Sequence, residues 1–539
     1  MNLRYLAIVG CLLSRMVSAQ EVAEAPKAAE AAKPPLQLRV FQAVAVAPGS
    51  SVSVECPIER SGFDEPVTLK MSNLPEGVTV KQVTIPAGAM SGMLEIVAAS
   101  NATPRVRSAI VSASGGTATA SDVIVVRVSF ESEKLPPGTL DYTLMKEILE
   151  DSDSLPMLRR RGSIGGRFTT DSKRKLADFY GGTPESEAAV MKGLAWLAKM
   201  QQPDGSWSLK AGDDAAAANA PPTASASETM ETTAGTAFGL LPFLAEGITH
   251  RYSPAGQPEL KPYRDVVKNG LVHLASRQVR NQSVSDGSLG GNMYAHALGT
   301  IALCETYGLS GDPKTRVNAQ LALKYLLNSQ HQQGGGWRYG PGQPGDMSVT
   351  SWVFLGIRSA QLTGIPVLEA TLERAGRFVD SCASGPSEAP DSRYTYVPGE
   401  EPKLSLTAAG LLTRQYLGWD DKEPDLLAGC AYLMENRPPD SATTLGSMYY
   451  YYYATQVLHH LEGPNFDQWN HLIREHILRQ QEKDGDNAGS WNPTGVDWGK
   501  EGGRMYATGL AILTLQAPYR HLPMFRQAQF SARSTKADD

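Results

Sequence analysis

The stretch KGLAWLAKMQQPDGSW, running from Lys192 to Trp207, decides how the chain is read. Leu194, Trp196 and Leu197 form the apolar stripe of a helix. Pro203, Asp204 and Gly205 end that helix by removing a backbone donor and permitting a turn. Trp207 then returns to the helix as a large apolar group. The pattern recurs as ALKYLLNSQHQQGGGW from Ala322 to Trp337 and as ILRQQEKDGDNAGSW from Ile477 to Trp491. A unit that recurs at about fifty residues predicts an array of stacked structural repeats.

Working outward, each copy carries a second helix that is almost wholly apolar or small, and five of these align by a terminal glycine: Gly247, Gly308, Gly364, Gly418 and Gly463. A glycine just past a helix supplies the left-handed cap. A sixth copy, MYATGLAILTLQ from Met505, ends at Pro518 instead. The first helices keep a polar face, with Lys192 and Lys199, Arg374 and Arg377, and Arg474 and Glu475. A hairpin of this size cannot bury its apolar face alone, so the six stack on one another. The terminal copies lack the polar outer face of a capping repeat, which predicts that the array closes on itself as a ring.

The Lys192 to Trp207 stretch resembles the QW motif of squalene cyclases, with Gln201 and the closing Gly205, Ser206 and Trp207 in place. Residues 186–518 accordingly resemble the α/α-toroid superfamily of terpenoid cyclases and protein prenyltransferases, in which six helix pairs close. The resemblance implies structural roles for Gln201, Trp207, Trp337 and Trp491 as staples of the outer helices. The family's chemistry is mostly missing. There is no DxDD acid, since Asp213 and Asp214 lie in an Ala-rich insertion and Asp420 and Asp421 follow the fourth pair. Asp346 and Ser348 stand where the Asp-x-Cys of the prenyltransferase zinc site would begin, but serine is no thiolate. The GCGEQ thioester motif of the complement-type toroids is absent as well. The expectation is no metal, no cofactor and no confident catalytic residue, with His296 and Asp346 as weak candidates for a general base.

What remains is a set of polar and aromatic residues at the starts of the inner helices. Tyr294, His296, Asp346, Tyr450, Arg504 and Tyr506 are the candidate ligand contacts, converging on one mouth of the closed ring. The plainer alternative is a packed rim whose tyrosines keep their hydroxyls in water. In the run Tyr449 to Tyr453, consecutive helical residues cover all faces, so about two can line a cavity.

The rest of the chain frames this region. Met1 to Ala19 reads as an export signal, with a basic start, an apolar core and small residues before the cut; Cys11 offers lipid modification as an alternative. Residues 20–35 are an Ala, Glu, Lys and Pro linker. Residues 36–130 alternate with period two between Pro, Gly and Asn breaks, which predicts an all-β sandwich of immunoglobulin-like size. A connector over 131–185 holds one expected helix (Leu140 to Leu149) and the basic Arg159 to Arg161, and 519–539 is a C-terminal tail. After signal removal four dispersed cysteines remain, read as buried thiols, with Cys382 and Cys430 the one conceivable bridge. A net charge of -6 over 539 residues argues against nucleic acid as a partner, and no later segment is apolar for long enough to span a bilayer. The whole predicts an exported, multidomain protein: a β-sandwich followed by an (α/α)6 toroid, non-catalytic, binding a protein, glycan or lipid at the mouth. An enzyme of the terpenoid-cyclase or lyase type is the alternative.

Overall fold

The computed structural model describes residues 35–128, 167, 170–213 and 226–524, apart from 104, 255, 282, 440 and 441 and the side chains of 226–230. The expected export signal and linker, the Leu140 to Leu149 helix and the Arg159 to Arg161 segment lie outside the described residues.

The helical part begins with α1 (Thr170–Phe179) and continues with α2 (Pro184–Lys199), α3 (Ala226–Ala245), α4 (Tyr263–Arg277), α5 (Met293–Ser310), α6 (Pro313–Asn328) and α7 (Met347–Leu362). It goes on through α8 (Glu369–Cys382), α9 (Leu404–Leu417), α10 (Pro424–Glu435), α11 (Met448–Leu461), α12 (Gly463–Gln480), α13 (Gly499–Leu515) and the short α14 (Ala517–Arg520). From α2 to α13 outer and inner helices alternate. The inner helices touch in the order α3, α5, α7, α9, α11, α13, and α13 returns to α3, so the ring is closed. The outer layer closes too, since α12 packs against α2. Burial explains the division: α5 and α7 are buried over nearly every turn, whereas α8 buries only Thr371, Ala375, Phe378, Val379 and Cys382 on one stripe.

The staples hold this closure through a repeated bond pair. Gln201 donates its amide to the Gly205 carbonyl of its own loop at 3.0 Å and to Val266 of α4 at 2.9 Å. Gln330 does the same to Gly335 and Thr371 of α8. Gln278, at the equivalent place of a copy without tryptophan, bonds Gly287 and Asn318 of α6. Each anchoring tryptophan is fully buried and donates its indole N–H to the preceding outer helix: Trp207 to Leu197, Trp337 to Leu326 and Trp491 to Ile477. Gly205 has φ +86 and lies so close to Asn269 of α4 that an added Cβ would stand 2.4 Å from its carbonyl oxygen, which is why the loop needs glycine there.

Three expectations are corrected. Gly308 does not cap its helix: α5 runs on to Ser310 and the left-handed cap is Gly311, φ +63, because Gly308 is buried within the helix. The C-terminal tail does not begin at residue 519, since Tyr519, Arg520 and Leu522 are buried beneath the ring, where α14 packs on α1, α11 and α13. No bridge joins Cys382 to Cys430; both are buried free thiols, as are Cys56 and Cys304.

The β region has its own core. Its strands are β1 (Leu36–Leu38), β2 (Gln42–Val46), β3 (Ser51–Arg60), β4 (Val67–Ser72), β5 (Val78–Val80), β6 (Val83–Ile85), β7 (Ser91–Ala98), β8 (Arg105–Gly115) and β9 (Ala118–Val128). They form a sheet ordered β1-β3-β7-β5 and another ordered β2-β9-β8-β4-β6, with β2 parallel to β9. Alternate residues such as Leu94 and Ile96 from one sheet and Val111 and Ile124 from the other meet in a shared apolar layer. This unit is clamped to the toroid. Buried Arg127 of β9 grips Asp467 of α12 through two hydrogen bonds, gives a third to the Phe179 carbonyl at 3.2 Å, and lies over the Phe179 ring. Ser108 meets His471 at 2.7 Å beside it.

Candidate functional site

Aromatic side chains from several inner helices meet inside the ring. Trp352 of α7 stacks on Tyr452 of α11 with centroids 5.6 Å apart and planes 16° from parallel, and it meets Phe238 of α3 edge-on at 6.3 Å. Tyr453 adds a further edge contact to Trp352, and Tyr506 of α13 one to Phe238. These side chains come from α3, α7, α11 and α13 and meet inside the ring of inner helices. The tyrosine run divides by helical geometry: Tyr449, Tyr452 and Tyr453 reach Trp352, while Tyr450 and Tyr451 pack on Trp469 of α12.

Beside this cluster, residues at the amino ends of the inner helices form a hydrogen-bonded polar network. Asp346 is the N-cap of α7, and its Oδ1 accepts from the Val349 amide at 2.9 Å and from the Ser348 hydroxyl at 2.6 Å. Ser348 in turn accepts from the Tyr294 hydroxyl. Tyr449 donates to the Ser348 carbonyl at 3.2 Å and lies 3.1 Å from the Ser351 hydroxyl. The other oxygen of Asp346 is buried without a hydrogen bond among the described residues, with Arg338 3.8 Å away. Burial, with the nearby Tyr449 hydroxyl and Asp346 carboxylate, raises the Tyr294 hydroxyl well above its ordinary value, so it stays a donor.

Around this floor stands an aromatic shelf. Tyr339, 44% exposed, lies 5.9 Å from Tyr294 ring to ring, and its hydroxyl is 3.1 Å from that of Tyr396. Arg338 spans both rings and Lys403 adds a second cation over Tyr396. The sequence analysis passed over Tyr339, Tyr396, Arg338 and Lys403. A signal was available: Tyr339 stands two residues after Trp337, and Tyr396 stands two after Tyr394, the buried tyrosine that replaces the anchor in its copy.

Of the candidate ligand contacts, Tyr294 and Asp346 meet here. Tyr506 lies deeper, 7% exposed and packed on Phe238, with no hydrogen-bond partner for its hydroxyl among the described residues. Three are corrected. His296 accepts the Leu289 amide on Nδ1 at 3.2 Å and donates from Nε2 to the Ala322 carbonyl at 2.9 Å, so both ring nitrogens are used in tying its loop to α6. Burial lowers its pKa to about 4, which keeps it neutral, and it makes no pair with Asp346. Tyr450 points outward and donates to the Leu433 carbonyl of α10 at 2.8 Å. Arg504 is a clamp between the last and first copies, bonded to the Gly212 carbonyl at 3.1 Å and to Ser490 at 3.1 Å. Among the described residues no group of three or more His, Cys, Asp or Glu could hold a metal ion, and no helix is long and apolar enough to cross a membrane.

No family model matches the chain, and a search of curated proteins finds no relative. Similar solved structures exist. One is a family 76 glycoside hydrolase from a bovine Bacteroides thetaiotaomicron strain: 12% identity, TM-score 0.44, covering 89% of this chain and 98% of that one. Another is an inactive variant of a family 76 alpha-1,6-mannanase of Salegentibacter in complex with alpha-1,6-mannotriose, at 12% identity and TM-score 0.40 over 62% of this chain and 99% of the other. A third is a type II terpene cyclase of Scytonema with its geranylgeranyl dihydroxybenzoate substrate, at 14% identity and TM-score 0.40 over 62% of this chain and 97% of the other. At these identities and scores the likeness says nothing about activity.

Proposed function

We propose that the chain is an exported, non-catalytic binding protein that takes a glycan on the aromatic shelf at the amino-end mouth of its toroid. The observation that carries this reading is the shelf itself, where the exposed ring of Tyr339 and the partly buried ring of Tyr396 stand hydroxyl to hydroxyl beside Tyr294; the aromatic cluster of Trp352, Tyr452 and Phe238 inside the ring favours a ligand held at the mouth. The shelf suits a sugar ring, because Tyr339 and Tyr396 are rings edged by hydroxyls, and Arg338 and Lys403 beside them bring donors for sugar hydroxyls. Export rests on the pattern of Met1 to Ala19. The β unit reads as an immunoglobulin-like module, supported by its strand order, with β1-β3-β7-β5 facing a sheet in which β9, β8 and β4 are neighbours. Fixed by Arg127 and Asp467, it serves as a rigid spacer that orients the mouth.

The test is a glycan array probed with the full chain, followed by calorimetry on any hit and an assay for released sugar. Saturable binding that is lost on joint replacement of Tyr339 and Tyr396 by alanine, with no released product, is expected. Equal binding by that double variant, or no binding to any glycan, overturns the ligand; released product overturns the non-catalytic reading.

A second reading, catalysis at the same mouth, is favoured by one observation: Asp346 holds a buried carboxylate oxygen with no hydrogen bond among the described residues. Replacing Asp346 by asparagine keeps the cap on Val349 and removes the charge. Turnover by the parent that this variant lacks would establish that second reading.

A further inference from the structure

A groove of about 570 Å³ lies where α6 ends, lined by Tyr325, Asn328, Gln332, Pro341 and Arg374, among others. That volume falls within the range of about 300–1,000 Å³ that holds small ligands. At about 30 Å³ per water it takes on the order of twenty water-sized groups, more than one hexose unit fills. Three successive copies build it: Ser285 comes from the loop before α5, Asn328 from the last turn of α6, and Thr371 and Arg374 from the first turns of α8.

The walls of the groove are held in place. The Tyr325 ring stands edge-on to His296 with centroids 4.8 Å apart, and His296 is tied at both ring nitrogens, so this histidine props one wall. Arg374 gives its Nε–H to the Gln330 side-chain oxygen at 2.9 Å, and its Nη2 lies 3.5 Å from the Thr371 hydroxyl. Its Nη1 makes no hydrogen bond among the described residues. Asn328 and Gln332 are exposed, and Gln332 donates to the Gln330 carbonyl at 3.1 Å, which leaves its own oxygen to accept. Donors and acceptors thus stand together around a tyrosine ring, and no side-chain carboxylate lines the groove. That mixture suits hydroxyl groups, which both give and take hydrogen bonds. Val284, 93% exposed, and Leu368, 73% exposed, add apolar rims for the C–H faces of a sugar.

Groove and aromatic shelf share one loop. Tyr339 belongs to the shelf and Pro341 to the groove, and two residues of backbone span at most about 7 Å. The loop is pinned on both flanks. The Met293 amide of α5 donates to the Tyr339 carbonyl at 2.9 Å, and the Gly342 amide donates to the Ser329 carbonyl beside the end of α6 at 2.9 Å. A ligand lying on Tyr339 therefore has the groove within reach of its next unit.

We infer that the ligand is an oligosaccharide rather than a single sugar. One unit rests on Tyr339 and Tyr396, and the chain runs over the loop into the groove, where Asn328, Gln332 and Arg374 bind its hydroxyls. This deepens the glycan reading of the shelf and rests on it.

The experiment titrates the full chain by calorimetry with oligomers of glucose, mannose, xylose and N-acetylglucosamine, each as a series from the single sugar upward. In the series that binds, affinity should rise about tenfold or more between the single sugar and the longer oligomers, the gain expected of two added hydrogen bonds. Joint replacement Asn328→Ala and Gln332→Ala, at two exposed positions, should remove that gain, so that short and long oligomers bind alike. Joint replacement of Tyr339 and Tyr396 by alanine should weaken every length. Equal affinity across lengths in the parent, or an undiminished gain in the Asn328 and Gln332 variant, overturns the groove and leaves the shelf standing. No binding at any length overturns both.

Discussion

Gln481, in the last loop of the toroid, donates its side-chain amide at 2.8 Å to the carbonyl of Ala189 in the first outer helix. Its second N–H goes to Gly489 of its own loop at 2.9 Å. The same glutamine geometry that links consecutive copies thus joins the end of the array to its beginning, and Gly489 presses on Lys192 of that first helix as Gly205 presses on Asn269. Sequence separation makes this the costliest contact of the set to form, since the loop it closes spans the whole ring.

Replacing Gln481 by leucine should therefore cost about 1–3 kcal/mol, because the carbonyls of Ala189 and Gly489 lose their partner in a half-buried place. The urea midpoint of the full chain measures it. A value within the scatter of exposed substitutions would mean that the ring is held shut by apolar packing alone.

The clamp between the β unit and the toroid makes a stronger prediction. Asp467→Ala leaves Arg127 buried and without its counter-charge, which should cost about 3–5 kcal/mol. Substituting both residues by apolar side chains should cost much less. If the single variant unfolds at the parental midpoint, with both units melting together, the pair does not hold the interface.

Tyr506→Phe should be neutral or slightly stabilising, within about 1 kcal/mol, because the lost hydroxyl has no partner among the described residues and its ring contact with Phe238 remains. Differential scanning calorimetry decides this. A loss well beyond that range would show that the hydroxyl is satisfied by a group such as bound water and belongs to the mouth's polar network.

Stability should fall as the solution is acidified below about pH 6.5. Burial lowers His296 to about 4, and burial together with the Arg474 guanidinium lowers His471 to about 4. Between those values and the ordinary histidine range the unfolded chain binds protons that the folded chain refuses. Stability is thus complete above the unfolded value and is lost as pH drops toward 4. Chemical denaturation from pH 7.5 to 4 measures the slope, and His296→Gln should reduce it by the share of one proton. A flat profile would mean that neither ring is held neutral in the folded state.

The sequence alone determined the repeat, its alternation of outer and inner helices and the separate β unit. These are set by local periodicity, by Pro and Gly punctuation and by the bulk of Trp207, Trp337 and Trp491, all of which act within one copy. The glutamine staple was legible at Gln201 but not at Gln278, whose copy has Leu289 where the tryptophan would be. Which polar residues meet was decided only by the tertiary structure. His296, Tyr450 and Arg504 share a helix-start position with Tyr294 and Asp346, yet a rotation of one residue about a helix axis turns a side chain by about 100°, and that turn sent these three to neighbouring backbone. The stacking of Trp352 on Tyr452, and the meeting of Arg167 and Arg520 on Glu305, join residues more than 60 positions apart; no spacing within the chain encodes such a meeting until the ring has closed.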